Sequence, residues 1–108
     1  MSALLLTDRI DLYRLDADRT LSDKSRADLG QFMTQSAIAR FMASLFGNAQ
    51  GNVLLLDPGA GVGSLSTAFV EEMCGRTVRP ASITAHAWEL DKGLFEYLST
   101  TLSDCAKE

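Results

Sequence analysis

The feature that most constrains this chain is a four-residue apolar run, Val53-Leu54-Leu55-Leu56, followed after Asp57 and Pro58 by glycines at alternate positions, Gly59, Gly61 and Gly63. The run is too short for a helix and is preceded by the turn residues Gly51-Asn52, so it reads as a strand buried on both faces, as in a parallel sheet. Leu65, Ala68, Phe69 and Met73 then mark one face of a helix that ends at Gly75. After a turn around Arg79-Pro80, the β-branched and aromatic content of Ile83–Glu89 predicts a second strand. Strand, glycine loop, helix and strand predict an α/β fold with a right-handed crossover between parallel strands. Leu94, Tyr97, Leu98, Thr101 and Leu102 repeat at helical intervals and predict a closing helix, with Asp91 placed to cap it.

Upstream, Ile10, Tyr13, Ala17 and Leu21 predict an amphipathic helix that Thr7 or Asp8 can cap, with alternating acids and bases between Thr7 and Asp28 forming a solvated face. Ile38, Phe41, Met42, Leu45 and Phe46 form one stripe of a second helix, which Thr34 or Ser36 can cap and Gly47-Asn48 ends. A chain of 108 residues with 46% hydrophobic residues can bury one modest core. Its apolar runs fall far short of the ~20 residues a membrane span needs, and no signal segment opens it, so a soluble, cytoplasmic protein is expected. The net charge of −4 argues against a broad phosphate-gripping surface on this chain alone. Cys74 and Cys105 form no CxxC pair and are expected to be reduced and incidental, and no metal site is expected.

The loop is the strongest chemical signal. A GxGxxG dinucleotide fingerprint counted from Gly59 ends on Ser64, and counted from Gly61 ends on Ser66, so the match to NAD binding is imperfect. A P-loop needs a lysine that Gly63-Ser64-Leu65 lacks. What remains is a tight turn where missing side chains let a ligand touch backbone. Asp57 suits a cationic ligand group, and Glu89, at the tip of the next strand, can accept both hydroxyl protons of a ribose across the same crevice.

With those residues in hand, Asp57-Pro58-Gly59-Ala60-Gly61-Val62-Gly63-Ser64-Leu65 resembles the cofactor motif of S-adenosylmethionine-dependent DNA methyltransferases acting on adenine N6. Gly30-Gln31-Phe32-Met33-Thr34-Gln35 is similar to the Gly-Gln-Phe-Phe-Thr-Pro element that precedes that loop in the gamma-ordered restriction-modification class. The resemblance covers residues 26 to 98 and implies a partial Rossmann-like methyltransferase fold: a short parallel sheet flanked by helices, with further N-terminal helices. It divides the chain into an N-terminal helical segment, 1–29, and an incomplete S-adenosylmethionine-binding domain, 30–108. Phe32 and Thr34 would contact the methionine end of the cofactor, with Gly30 and Gln31 shaping that wall. Asp57 would lie near its ammonium, Pro58, Gly59, Gly61 and Gly63 would let the chain pass close to it, Glu89 would hold the ribose, and Leu90 would pack on the adenine. Met33 departs from the second Phe, and Gln35 from the Pro that would start the helix rigidly.

The family's Pro-Pro-aromatic catalytic loop is absent, because the two prolines, Pro58 and Pro80, are not adjacent. The resemblance therefore implies an N-terminal piece of a larger enzyme that lacks the catalytic motif and the DNA-reading domain and is inactive alone. Its partners would be DNA in the intact enzyme and the remainder of the methyltransferase or another subunit. Self-association through an uncovered sheet edge, or docking of the N-terminal helices over it, is also expected. Two other classes fit parts of the pattern: an NAD-type nucleotide-binding module, and a non-catalytic remnant acting through protein contacts. Blander readings stand beside individual residues: the glycines as a plain turn, Glu89 as a solvated acid, Phe32-Met33 as core, Glu71-Glu72 as a solvated helix face, and His86 as an ordinary strand residue.

Overall fold

The computed structural model describes residues 5–20 and 34–108. Along them run α1 (Leu6–Thr20), α2 (Ser36–Ser44), β1 (Asn52–Pro58), α3 (Ser64–Gly75), β2 (Ser82–Trp88), a 3-10 turn (Lys92–Leu94) and α4 (Phe95–Cys105). The two strands pair in parallel, in register from Asn52 beside Ser82 to Pro58 beside Trp88, and α3 is the connection between them. The fold is the expected α/β one, with a two-stranded parallel sheet among the described residues.

Burial corrects one expectation. Successive strand side chains point to opposite faces. Asp57 is only 9% exposed, whereas Leu54 and Leu56 are 61% and 56% exposed, as is Trp88 at 53%. The strands are therefore covered on one face, not two. The described helices pack against one another and leave the Leu54–Leu56–Trp88 face bare. The continuous apolar run still has its physical reason, since both faces are apolar, but here only one is covered.

A second correction concerns α2. Its predicted stripe exists, yet Ile38, Phe41 and Leu45 are exposed, and Ala39 and Ala43 are the buried residues, packed with Ala68 of α3. Alanines facing alanine let two helices approach closely and push the larger side chains to the rim. Phe46 still meets Phe69 edge to face, ring centres 5.2 Å apart.

The caps also differ from expectation. Helix N-termini leave N–H groups unpaired and carry partial positive charge. α1 already includes Thr7, whose N–H donates to Glu71 Oε2 at 2.8 Å, and the Ser36 N–H at the start of α2 donates to Asp11 Oδ1 at 3.2 Å. Carboxylates on neighbouring helices thus replace the local Thr and Ser caps, and Glu71 is a capping residue rather than a solvated one. Past the end of α2, the Arg76 guanidinium donates to the carbonyls of Phe46 and Gly47 at 2.7 and 2.8 Å. Arg40 donates to Thr7 Oγ1 at 2.8 Å and to Asp8 at 3.0 Å, tying α2 to α1. Asp91 does cap as expected, accepting the Gly93 N–H at 2.8 Å where the 3-10 turn leads into α4.

The main core gathers Ile10 and Ala17 of α1, Val62 of the glycine loop and Leu94, with Tyr13 and Tyr97 packed against it. Each large aliphatic side chain removed from water there contributes about 1.5–3 kcal/mol. Because Val62 belongs to this core, the glycine loop is anchored from inside. Leu21 lies outside the described residues, and among those described no helix is long and apolar enough to cross a membrane.

Candidate functional site

The loop after β1 turns on three left-handed residues, Gly59, Gly61 and Gly63, with φ of 68°, 60° and 93°. Side-chain-bearing residues rarely adopt such angles, which is why glycine recurs at every second position. The Ala60 N–H donates to the Trp88 carbonyl at 2.8 Å, and the Gly63 N–H to the Ala60 carbonyl at 2.9 Å. These bonds pin the loop across the C-terminal end of the sheet, at the strand ends where ligands of open α/β sheets bind.

Glu89 follows β2 directly and is half-buried. Its Oε1 accepts the Gly61 N–H at 2.8 Å and its Oε2 the Asp91 N–H at 2.9 Å. One backbone proton on each oxygen fixes the carboxylate plane and leaves each oxygen further acceptor capacity. A rigid acceptor with two oxygens available matches the geometry of a vicinal diol.

The glycines have different surroundings. Among the described residues a Cβ on Gly59 would find nothing within 4 Å, and Gly59 is exposed. On Gly63 it would lie 2.7 Å from Thr101 Cγ2 and 3.3 Å from Leu98 Cδ1. The missing side chain admits open space at Gly59 and α4 at Gly63.

Asp57 takes a separate partner. Its Oδ2 accepts the Ser66 hydroxyl at 2.6 Å, and both residues are buried. The pair borders a hollow of about 180 Å³ between α2, β1 and α3, with Met42, Leu65 and Phe69 among its walls. The structure thus joins Glu89 to Gly61 and Asp57 to Ser66. A larger hollow of about 700 Å³, lined by Met73, Ile83, Leu102 and Cys105 among others, is formed by residues outside the loop. Burial raises the Cys105 thiol above its ordinary pKa, so it is a poor nucleophile there.

Of the remaining candidates, Pro58 is exposed at the strand end, Leu90 is 88% exposed just past Glu89, and Thr34 is half-buried, separated from α2 by Gln35. Gly30, Gln31 and Phe32 lie outside the described residues. Sequence reasoning missed Ser66, the Asp91 N–H and the Trp88 carbonyl. The first had one available signal, a hydroxyl in the first turn of a helix that follows an acid-ended strand; the other two are backbone groups and carry none.

With this geometry set out, the comparisons with known proteins are specific. The chain is 39% identical over 99 residues to the type II methyltransferase M.BsuBI of Bacillus subtilis, a match covering 91% of this chain and 19% of that protein. It is 38% identical over 96 residues to the type II methyltransferase M.PstI of Providencia stuartii, covering 89% of this chain and 18% of that one. The chain is homologous to a segment of type II methyltransferases. It spans about a fifth of the length of these relatives. No protein-family profile matches it, and no solved structure does. The loop, Asp57 and Glu89 described above are thus carried by a methyltransferase-related sequence.

Proposed function

We propose that this chain is the S-adenosylmethionine-binding part of a site-specific DNA adenine-N6 methyltransferase of the restriction-modification type. The observation that carries the reading is the Glu89 carboxylate, held by Gly61 and Asp91 beside the open backbone at Gly59. Both features fit an adenosyl group: the carboxylate has acceptor capacity for the two ribose hydroxyls, and among the described residues nothing occupies the space beside Gly59. Leu90, exposed next to Glu89, would pack on the adenine. Asp57 would attract the ammonium, with Thr34, Phe32 and the Gly30-Gln31 backbone completing the methionine side.

The cofactor, when bound, supplies an electrophilic methyl group on a sulfonium. This chain's residues would hold and orient it, a positioning role, and transfer to a flipped adenine needs a base-binding loop that its two separated prolines do not form. The bare Leu54–Leu56–Trp88 face is where further polypeptide of the enzyme would pack. Acting on DNA in a bacterial cell would place the protein in the cytoplasm.

The Glu89 geometry would also suit the ribose of NAD, so the two must be separated by experiment. In a chimera where this sequence replaces the matching segment of M.BsuBI, equilibrium dialysis should show saturable S-adenosylmethionine binding that NAD does not displace, and the chimera should methylate DNA. The 108-residue chain alone should transfer no methyl group. A chimera that binds NAD in preference, or binds neither, would overturn the reading.

A further inference from the structure

We infer that Ser66 is a positioning residue for ligand recognition, anchoring Asp57 so that its carboxylate presents a fixed negative charge to a compact cationic group. This rests on the cofactor reading, in which that group is the α-ammonium of the amino-acid end. Asp57 is nine-tenths buried at 9% exposure, yet among the described residues no lysine or arginine forms an ion pair with it, and the walls of the adjoining hollow carry no cationic side chain. Buried charges are normally paired, so a carboxylate placed this way is matched to a cation from elsewhere.

Ser66 is what makes that placement tolerable. It sits in the first turn of α3, is 2% exposed, and donates to Asp57 Oδ2 at 2.6 Å, in the range of a hydrogen bond to an ionised oxygen. The α3 N-terminus adds partial positive charge beside the same carboxylate. One oxygen is thereby committed to the protein, and that bond restrains the carboxylate about its terminal torsion. A hydroxyl donor suits this task better than a lysine, because it orients the acid while leaving its charge uncompensated for the ligand.

The test uses the M.BsuBI chimera and two ligands that differ only at the end in question. S-adenosylhomocysteine carries the ammonium, whereas 5′-methylthioadenosine lacks the whole amino-acid end. Ser66→Ala should weaken S-adenosylhomocysteine about tenfold, the loss of one charge-assisted hydrogen bond's ordering, and leave 5′-methylthioadenosine unchanged. Ser66→Thr, which keeps the hydroxyl, should recover most of the affinity. In an Asp57→Asn background, Ser66→Ala should have no further effect. Thermal melting of each variant identifies any that fail to fold, and the Asp57→Asn cycle then reads the coupling through the acid itself. Equal weakening of both ligands, or no loss for S-adenosylhomocysteine, overturns the role of Ser66. Failure of the unsubstituted chimera to bind either ligand instead overturns the cofactor reading, and the proposal with it.

Discussion

Gly59 and Gly63 sit four residues apart in one loop, both left-handed, and do opposite things. At Gly63 the space a side chain would fill belongs to Thr101 and Leu98 of α4, and the residue is buried. At Gly59 that space holds no atom of the described residues, and the glycine is exposed. The same residue type in the same pattern therefore serves packing at one end of the loop and leaves open space at the other. Gly61 lies between them in role as well as position, its N–H spent on orienting Glu89. On the proposed cofactor reading the loop is half scaffold and half site, and substitutions can separate the halves.

The sharpest separation is expected from Gly63→Ala. It combines a φ of 93° with a 2.7 Å approach to Thr101 Cγ2, and strain plus overpacking should cost about 2–4 kcal/mol of stability, read by urea denaturation. A cost no greater than that of Gly59→Ala would erase the contrast. Next is Glu89→Gln, whose amide nitrogen cannot accept an N–H; cofactor affinity in the chimera should fall about 10- to 100-fold with little change in stability. Gly59→Ala should cost about 1–2 kcal/mol through its left-handed angle alone and should weaken ligand binding, whereas any binding loss in Gly63→Ala should track unfolding.

A smaller effect of opposite sign is expected at the packed end. Among the described residues Thr101 Oγ1 is buried without a hydrogen-bond partner, so Thr101→Val should raise stability by about 0.5–1 kcal/mol in the same denaturation assay. The smallest effect lies away from the loop. The Arg14 hydrogen bond, assisted by its charge and by the Ser36 N–H, holds the Asp11 carboxyl below its ordinary value of 3.8. A depressed folded pKa contributes stability that is present above 3.8 and is lost as pH falls through the lower folded value. Asp11→Asn should flatten that acid limb, and it should do so equally in the Gly59 and Gly63 variants, since Asp11 touches neither end of the loop.

Much of this was legible in the chain. The apolar run and its glycines predict strand, loop and helix because short buried strands and left-handed turns demand those residue types, and the strands and helices lie where the periodicity places them. The covered faces were less legible. Ile38, Phe41 and Leu45 form a stripe whose burial depends on what packs there, and three alanines took the contact instead. The caps were illegible for a related reason: Glu71 and Asp11 reach helix termini distant in sequence, and local cap patterns register only near neighbours. Glu89 stood out from its place at the end of the second strand, but its fixed orientation comes from the Asp91 and Gly61 backbone, which no side-chain pattern encodes.

The central claim is that the Gly59–Glu89 end of the loop receives the adenosyl group while the Gly63 end only packs. Segmental ¹⁵N labelling of this sequence within the M.BsuBI chimera, followed by titration with S-adenosylhomocysteine, addresses that directly. The account predicts saturable amide shifts at Gly59, Gly61 and Asp91, with Gly63 and Thr101 nearly unmoved. Shifts centred on Gly63 and α4, or none at Gly61 and Asp91 at saturating ligand, would contradict it.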